Sequence, residues 1–128
     1  MSHPPCDRVV VAFELNRRPH PKGRPRFGKT HAYTDPKTRE FEALVKVACT
    51  KAMAGAAPYA GPVELLTLFE YRDARVADVS NLVKAIEDGM NGSAWLDDKQ
   101  VCRQQNVRVS RADVDRVSVA VLAVGVPA

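Results

Sequence analysis

Asp78, Asn81, Lys84, Asp88, Asp97 and Asp98 lie within twenty-one consecutive residues, and their types suit metal-assisted chemistry on a phosphate. Asp78 stands where a turn gives way to a helix. Asn81, Lys84 and Asp88 follow at spacings of three and four, which places them on one helical face. Leu82, Ala85 and Ile86 occupy a different face. Asp97 and Asp98 come after a turn, immediately before a strand. Hard cations such as magnesium prefer carboxylate oxygens and keep several waters, so two carboxylates from separate elements are enough to seat one against a phosphate. The cation lowers the pKa of a water and stabilises charge on phosphorus. A lysine nearby stabilises the same charge. Asp78 and Asp98 suit the first role and Lys84 the second. The competing reading is structural: Asp78 caps a helix, Asp97 and Asp98 form a solvated turn, and Lys84 is a surface residue.

A second segment has the opposite charge. From Arg17 to Arg39 there are eight bases and a single acid, Asp35, whereas from Glu70 to Asp98 there are seven acids and three bases. One segment can neutralise phosphates while the other holds a cation, a division of labour that suits an enzyme acting on nucleic acid. Lys22, Arg24, Arg26 and Lys29 sit among Pro19, Pro21, Pro25, Gly23 and Gly28; the prolines stiffen the loop and limit the ordering cost of binding. Phosphate contacts of this kind give sequence-independent affinity that weakens with salt. Phe27 can stack at a branch point or pack on the sheet, and the run as a whole can also be a solvated loop.

The remaining sequence supplies the elements that must hold these groups. Residues 8–15 alternate, with Val9, Val11, Phe13 and Leu15 on one face of a strand. Residues 16–34 carry too many breakers for a long element and read as a basic loop with a short hairpin near Phe27–Tyr33. Asp35-Pro36 opens a helix over Pro36–Met53: Asp caps free amides and Pro suits the first turn. Its core face is Phe41, Leu44, Val45, Ala48 and Ala52, with Cys49 and Met53 nearby. Residues 63–71 form a strand with Val63, Leu65, Thr67, Phe69 and Tyr71 on one face. Residues 81–90 form a short helix packed through Leu82, Ala85, Ile86 and Gly89, and Met90 belongs to the core or the helix end. Asn91-Gly92 is a turn, Trp95 is a packing anchor, and residues 101–110 and 117–126 are strands. Cys102 is expected to pack within its strand, and His3, His20 and His31 to lie at the surface. The order predicts one small α+β domain over residues 1–128, its core at 8–126, with a mixed sheet of about four strands and two helices on one side.

Composition agrees. The chain has 128 residues, 45% hydrophobic and 27% charged, with net charge +4, as expected of one globular domain. Cys6, Cys49 and Cys102 are odd in number and widely spaced, which argues against a disulfide framework or structural zinc and points to reduced thiols in the cytoplasm. The sequence shows no apolar run long enough for a membrane span, and its first residues, MSHPPCDR, lack the apolar centre of a signal peptide.

Taken together, the segments Asp78-Val-Ser-Asn-Leu-Val-Lys84, Glu87-Asp88-Gly-Met, Asn91-Gly92 and Trp95-Leu-Asp97-Asp98-Lys-Gln-Val101 resemble the RusA family of Holliday-junction resolvases. That family carries Asp-x-Asp-Asn-Leu-x-Lys, then Asp-Ala-Leu, then Trp-x-Asp-Asp. Pro21-Lys-Gly-Arg-Pro-Arg-Phe27 and Ala32-Tyr-Thr-Asp-Pro-Lys-Thr-Arg-Glu40, which includes Arg39, are similar to its N-terminal part. The resemblance spans about Val9 to Val109. It implies a cytoplasmic, homodimeric endonuclease of bacteria or their phages, dependent on magnesium with manganese as a substitute. Such an enzyme nicks opposed strands of a four-way DNA junction in recombination and repair, with no membrane and no small-molecule substrate involved. By the resemblance, Asp78 and Asp98 match catalytic aspartates that hold the metal, Lys84 the essential lysine and Asn81 the asparagine beside the site. The family's second aspartate is Ser80 here, a neutral and weaker ligand, and Asp97, Asp88 or Asp73 is available to compensate. Two other readings stay open: a DNA-junction-binding module without catalysis, and a general nuclease for flaps or single strands.

Overall fold

The computed structural model describes residues 8–23, 26–27, 32–33, 35–74 and 77–125. The elements run β1 (Arg8–Leu15), β2 (Arg26–Phe27), β3 (Ala32–Tyr33), α1 (Pro36–Met53), β4 (Val63–Glu70), α2 (Val79–Met90), β5 (Val101–Val109) and β6 (Arg116–Ala123), with a short 3-10 turn at Asp98–Gln100 before β5. They form a single small α+β domain. Its four-stranded mixed sheet has the order β1-β6-β4-β5, and β2 and β3 make a separate two-stranded hairpin.

β6 pairs antiparallel with both β1 and β4, while β4 and β5 are parallel. Parallel neighbours need a long crossover, and α2 supplies it. The topology therefore sets Asp78 beyond the C-terminal end of β4 and Asp98 at the N-terminal end of β5, at opposite ends of the same crossover.

Alternation builds the core. Val63, Leu65, Thr67, Phe69 and Tyr71 are all buried, as are Val117, Val119, Val121 and Ala123 of β6. Against them pack Leu82, Ala85, Ile86 and Met90 of α2 and Phe41, Val45, Cys49 and Met53 of α1. Trp95 is fully buried, and its indole Nε1 donates to Asn91 Oδ1 at 2.5 Å, which fixes the turn that delivers Asp97 and Asp98. Gly89 is where the two helices touch: a Cβ there would lie 2.8 Å from Val45 Cβ and 2.9 Å from the Glu42 carbonyl oxygen. Gly89→Ala is therefore expected to lower stability in a urea titration by about 1–3 kcal/mol, despite the gain of about 1 kcal/mol in helix propensity. An unchanged or raised midpoint would show that the helices separate at no cost.

Several expectations need correction. A register shift between Val9 and Val11 turns Val9 outward, 60% exposed, and Val10 packs on the core instead; one extra residue flips the faces of a strand. Asp35 occupies the cap of α1, but its side chain makes no capping hydrogen bond. Ala52 is exposed, and the buried stripe runs through Thr38, Cys49 and Met53. α2 begins at Val79, two residues earlier than expected, because Asp78 is its cap. Cys102 is exposed on the edge strand. His20 is half-buried, 3.3 Å from Thr38 Oγ1 with its ring against Phe41. His3 and His31 lie outside the described residues.

Candidate active site

α2 organises the site, and it begins with a cap. Asp78 Oδ1 accepts the Ser80 amide at 3.0 Å and the Ser80 hydroxyl at 2.7 Å. These bonds, the hydroxyl first, hold the Asp78 carboxyl below the usual carboxylate range, and the nearby Arg108 guanidinium adds to the effect. Ser80 thus does something an ionised aspartate side chain could not: its hydroxyl donates to Asp78. Its hydroxyl and amide bind one carboxylate oxygen, Oδ1, and Asp78 is exposed.

Lys84 lies on the ridge that starts at Ser80, four residues on. Its ammonium is 3.4 Å from Asp88 and 3.6 Å from Asp98 and is half exposed. Attraction to Asp88, then to Asp98, raises its pKa. Glu87 sits on the same side; burial, then repulsion from Asp98, pushes its carboxyl up. Glu87 was not singled out from the sequence, although its spacing of three from Lys84 and seven from Ser80 puts it on that ridge. With Val83, these three residues face Gln104 and Asn106 of β5 across a cleft of about 430 Å³.

The arrangement has two halves. Ser80, Asn81 and Arg108 act on Asp78; Lys84 and Glu87 stand beside Asp98, and Asp88 joins them through Lys84. Six helical residues rise about 9 Å, which separates the Asp78 level of α2 from that of Lys84. Among the described residues, no three acidic, histidine or cysteine side chains converge as a metal cage. The donor set still suits a hydrated hard cation, which takes one or two carboxylates and otherwise waters and substrate phosphate. Crowding of the Glu87, Asp88 and Asp98 carboxylates is the feature such a cation would relieve.

Asp97 caps the 3-10 turn: its side chain accepts the Lys99 amide at 2.9 Å, while Gln100 Oε1 accepts the Asp97 amide at 3.1 Å. Asp73 is held by Arg18 at 2.9 Å. Asp88 is shared between Lys84 and Lys22.

The foot of the basic loop is tied down. Tyr71 donates its buried hydroxyl to the Pro19 carbonyl at 2.9 Å, the Lys22 amide donates to the Asn81 carbonyl at 2.9 Å, and the Lys22 ammonium binds Glu42 and Asp88. Burial opposes its charge, yet the Asp88 and Glu42 carboxylates raise its pKa overall. Lys22 thus faces the acidic ridge. Arg39 is exposed on the first turn of α1. Arg24 and Lys29 lie outside the described residues, and Arg26 and Phe27 are described through their backbone in the β2–β3 hairpin alone.

No helix among the described residues is long and apolar enough to cross a membrane. No curated protein matches the sequence. The profile of the family Endodeoxyribonuclease RusA matches residues 16–122, a span holding the basic loop, both helices, the acidic ridge and all but the first strand. Nucleases of this kind generally depend on a divalent metal. The chain belongs to the RusA endodeoxyribonuclease family.

Proposed function

We propose that this protein is a magnesium-dependent, structure-selective endodeoxyribonuclease that resolves four-way DNA junctions by paired, symmetric nicks in recombination and repair, acting as a homodimer in the cytoplasm. The observation that carries this reading is Lys84 held between Asp88 and Asp98 on the helix that Asp78 caps, in a chain of this family. Asp78 and Asp98 would offer carboxylates to the hydrated cation, one from each half of the site, with manganese an acceptable substitute; when bound, it would supply Lewis-acid stabilisation and activate the attacking water.

This chain's own groups do the rest. Ser80 orients Asp78 through its amide and hydroxyl. Lys84 neutralises charge that builds on the phosphate oxygens in the transition state. Asn81 anchors the basic loop to α2 through its carbonyl, and Asp88 bridges Lys22 and Lys84. Arg24, Arg26, Lys29 and Arg39 contact the sugar–phosphate backbone, which positions a branched substrate without reading bases, and Phe27 stacks at the branch. Two identical cuts call for a two-fold assembly. The sheet face turned away from the helices, with Leu66, Leu68, Ala120 and Val107, is a surface a second copy can cover.

A second reading, a junction-binding module without catalysis, is favoured by one observation: Ser80 replaces a family carboxylate where no three acidic groups converge among the described residues. Incubating the protein with a labelled four-way junction, a flap and a linear duplex, with magnesium or chelator, separates the readings. Paired nicks in the junction that need magnesium are expected. Binding without nicks supports the second reading, and nicks confined to flaps or single strands support a general nuclease.

A further inference from the structure

The helix-facing side of β5 has the wrong chemistry for a core. Strands under a crossover helix are normally apolar on the face the helix covers. Here the register with Leu65, Thr67 and Phe69 of β4 assigns that face to Gln104, Asn106 and Arg108. Beyond Val101, which packs on the core at the start of the strand, the valines of β5, Val107 and Val109, lie on the opposite face, 52% and 37% exposed. β4 and β6 keep the usual order, so the inversion is confined to the one strand that borders the acidic ridge.

The polar row is ordered. Thr67 Oγ1 donates to Asn106 Oδ1 at 2.5 Å, and Asn106 Nδ2 donates to Gln104 Oε1 at 2.8 Å. Both amide oxygens are thereby engaged, which leaves the Gln104 NH₂ as the donor that the row presents to the cleft. At the other end, Arg108 Nη1 donates to the Ala77 carbonyl beside Asp78. Lys84 stands across the cleft on α2. The Lys84 ammonium on one wall and an oriented amide donor on the other make a binding surface for an anion. Glu87, on the same cleft wall, disfavours an anion that arrives without a cation.

We propose that the cleft between α2 and β5 seats one phosphodiester of the DNA strand, with Gln104 donating to its oxygens opposite Lys84. This rests on the functional reading above and adds the β5 wall to it. Gln104 is exposed, so substitution there leaves the core intact. The test is junction affinity, measured by fluorescence anisotropy in calcium buffer without magnesium over a series of salt concentrations. Gln104→Glu sets a negative charge against the phosphate, and binding is expected to weaken at least tenfold. Gln104→Lys is expected to tighten binding and steepen the salt dependence by about one counterion. Ala57→Glu, in the exposed loop after α1, makes the same charge change and is expected to stay within twofold. If both Gln104 variants match Ala57→Glu while the unaltered chain binds and nicks junctions, the phosphate seat is wrong and the function stands. If the unaltered chain binds no junction, both readings fall.

Discussion

Asp78→Asn is expected to abolish junction cleavage, by at least a thousandfold, while junction affinity changes by less than about threefold. The variant separates the two roles open to Asp78. Asparagine is as good a helix cap as aspartate, and its side-chain oxygen can still accept the Ser80 amide and hydroxyl that Asp78 accepts now. The start of α2, and with it the placement of Lys84, is therefore retained. What is lost is the negative charge, and with it a ligand for a hard cation. Far-ultraviolet circular dichroism and a melting curve like those of the unaltered protein would establish that the cap survives; initial rates on a labelled junction then report the charge alone. A variant that cuts at the normal rate would make Asp78 a cap and nothing more. The acidic site would then have to be built from Asp98 and Glu87 at the middle of α2. Loss of cutting together with loss of binding would instead mean that the carboxylate orders the DNA surface.

The parts of the structure legible in the sequence are those set by period and local chemistry. The buried face of β4 could be read in full, because Val63, Leu65, Thr67, Phe69 and Tyr71 alternate without interruption and the pairing of β4 with β6 runs without a register shift. α1 was bounded correctly by Asp35-Pro36 at one end and Gly55 at the other. Val9 was misplaced because a bulge depends on the partner strand, which has no local signature. At the site, residue types pointed to Lys84 and Asp98, and the fold brings them to 3.6 Å. Spacing could not tell adjacent Asp97 from Asp98: one caps a turn and the other faces Lys84, a distinction made by the 3-10 geometry of Asp98–Gln100. Nor could it show that Lys22 pairs with Glu42 and Asp88, 20 and 66 residues away, since such pairs depend on how α1 and α2 dock. The polar inward row of β5 was hidden for the same reason: which face of an edge strand is covered follows from the crossover, and Val107 and Val109 carry the stronger alternation.

Lys84→Ala is the second large expected effect, a loss of about a hundred- to a thousandfold in cleavage rate at saturating junction. A donor aimed at charge that develops in the transition state is worth about 3–4 kcal/mol, far more than the same group contributes to the fold. The ammonium is half exposed, and its two partners are 3.4 and 3.6 Å away; exposed pairs of this kind stabilise by at most about 1 kcal/mol. A variant that melts within a few degrees of the unaltered protein yet cuts a hundredfold more slowly therefore places Lys84 at the reacting phosphate. Lys84→Arg sharpens the point. It keeps the charge but replaces a compact ammonium with a planar fork, so partial rescue means that charge matters most and no rescue means that the position of the donor does. The lysine is also shared with Asp88, which binds Lys22 as well. Because that second cation already neutralises Asp88, Lys84 can turn toward a phosphate without leaving Asp88 unpaired. Lys22→Met should accordingly lower the cleavage rate by less than Lys84→Ala, by drawing Lys84 back to Asp88. Equal losses for the two variants would show that the ion network acts as one unit, with Lys84 holding the loop in place and not acting on the phosphate.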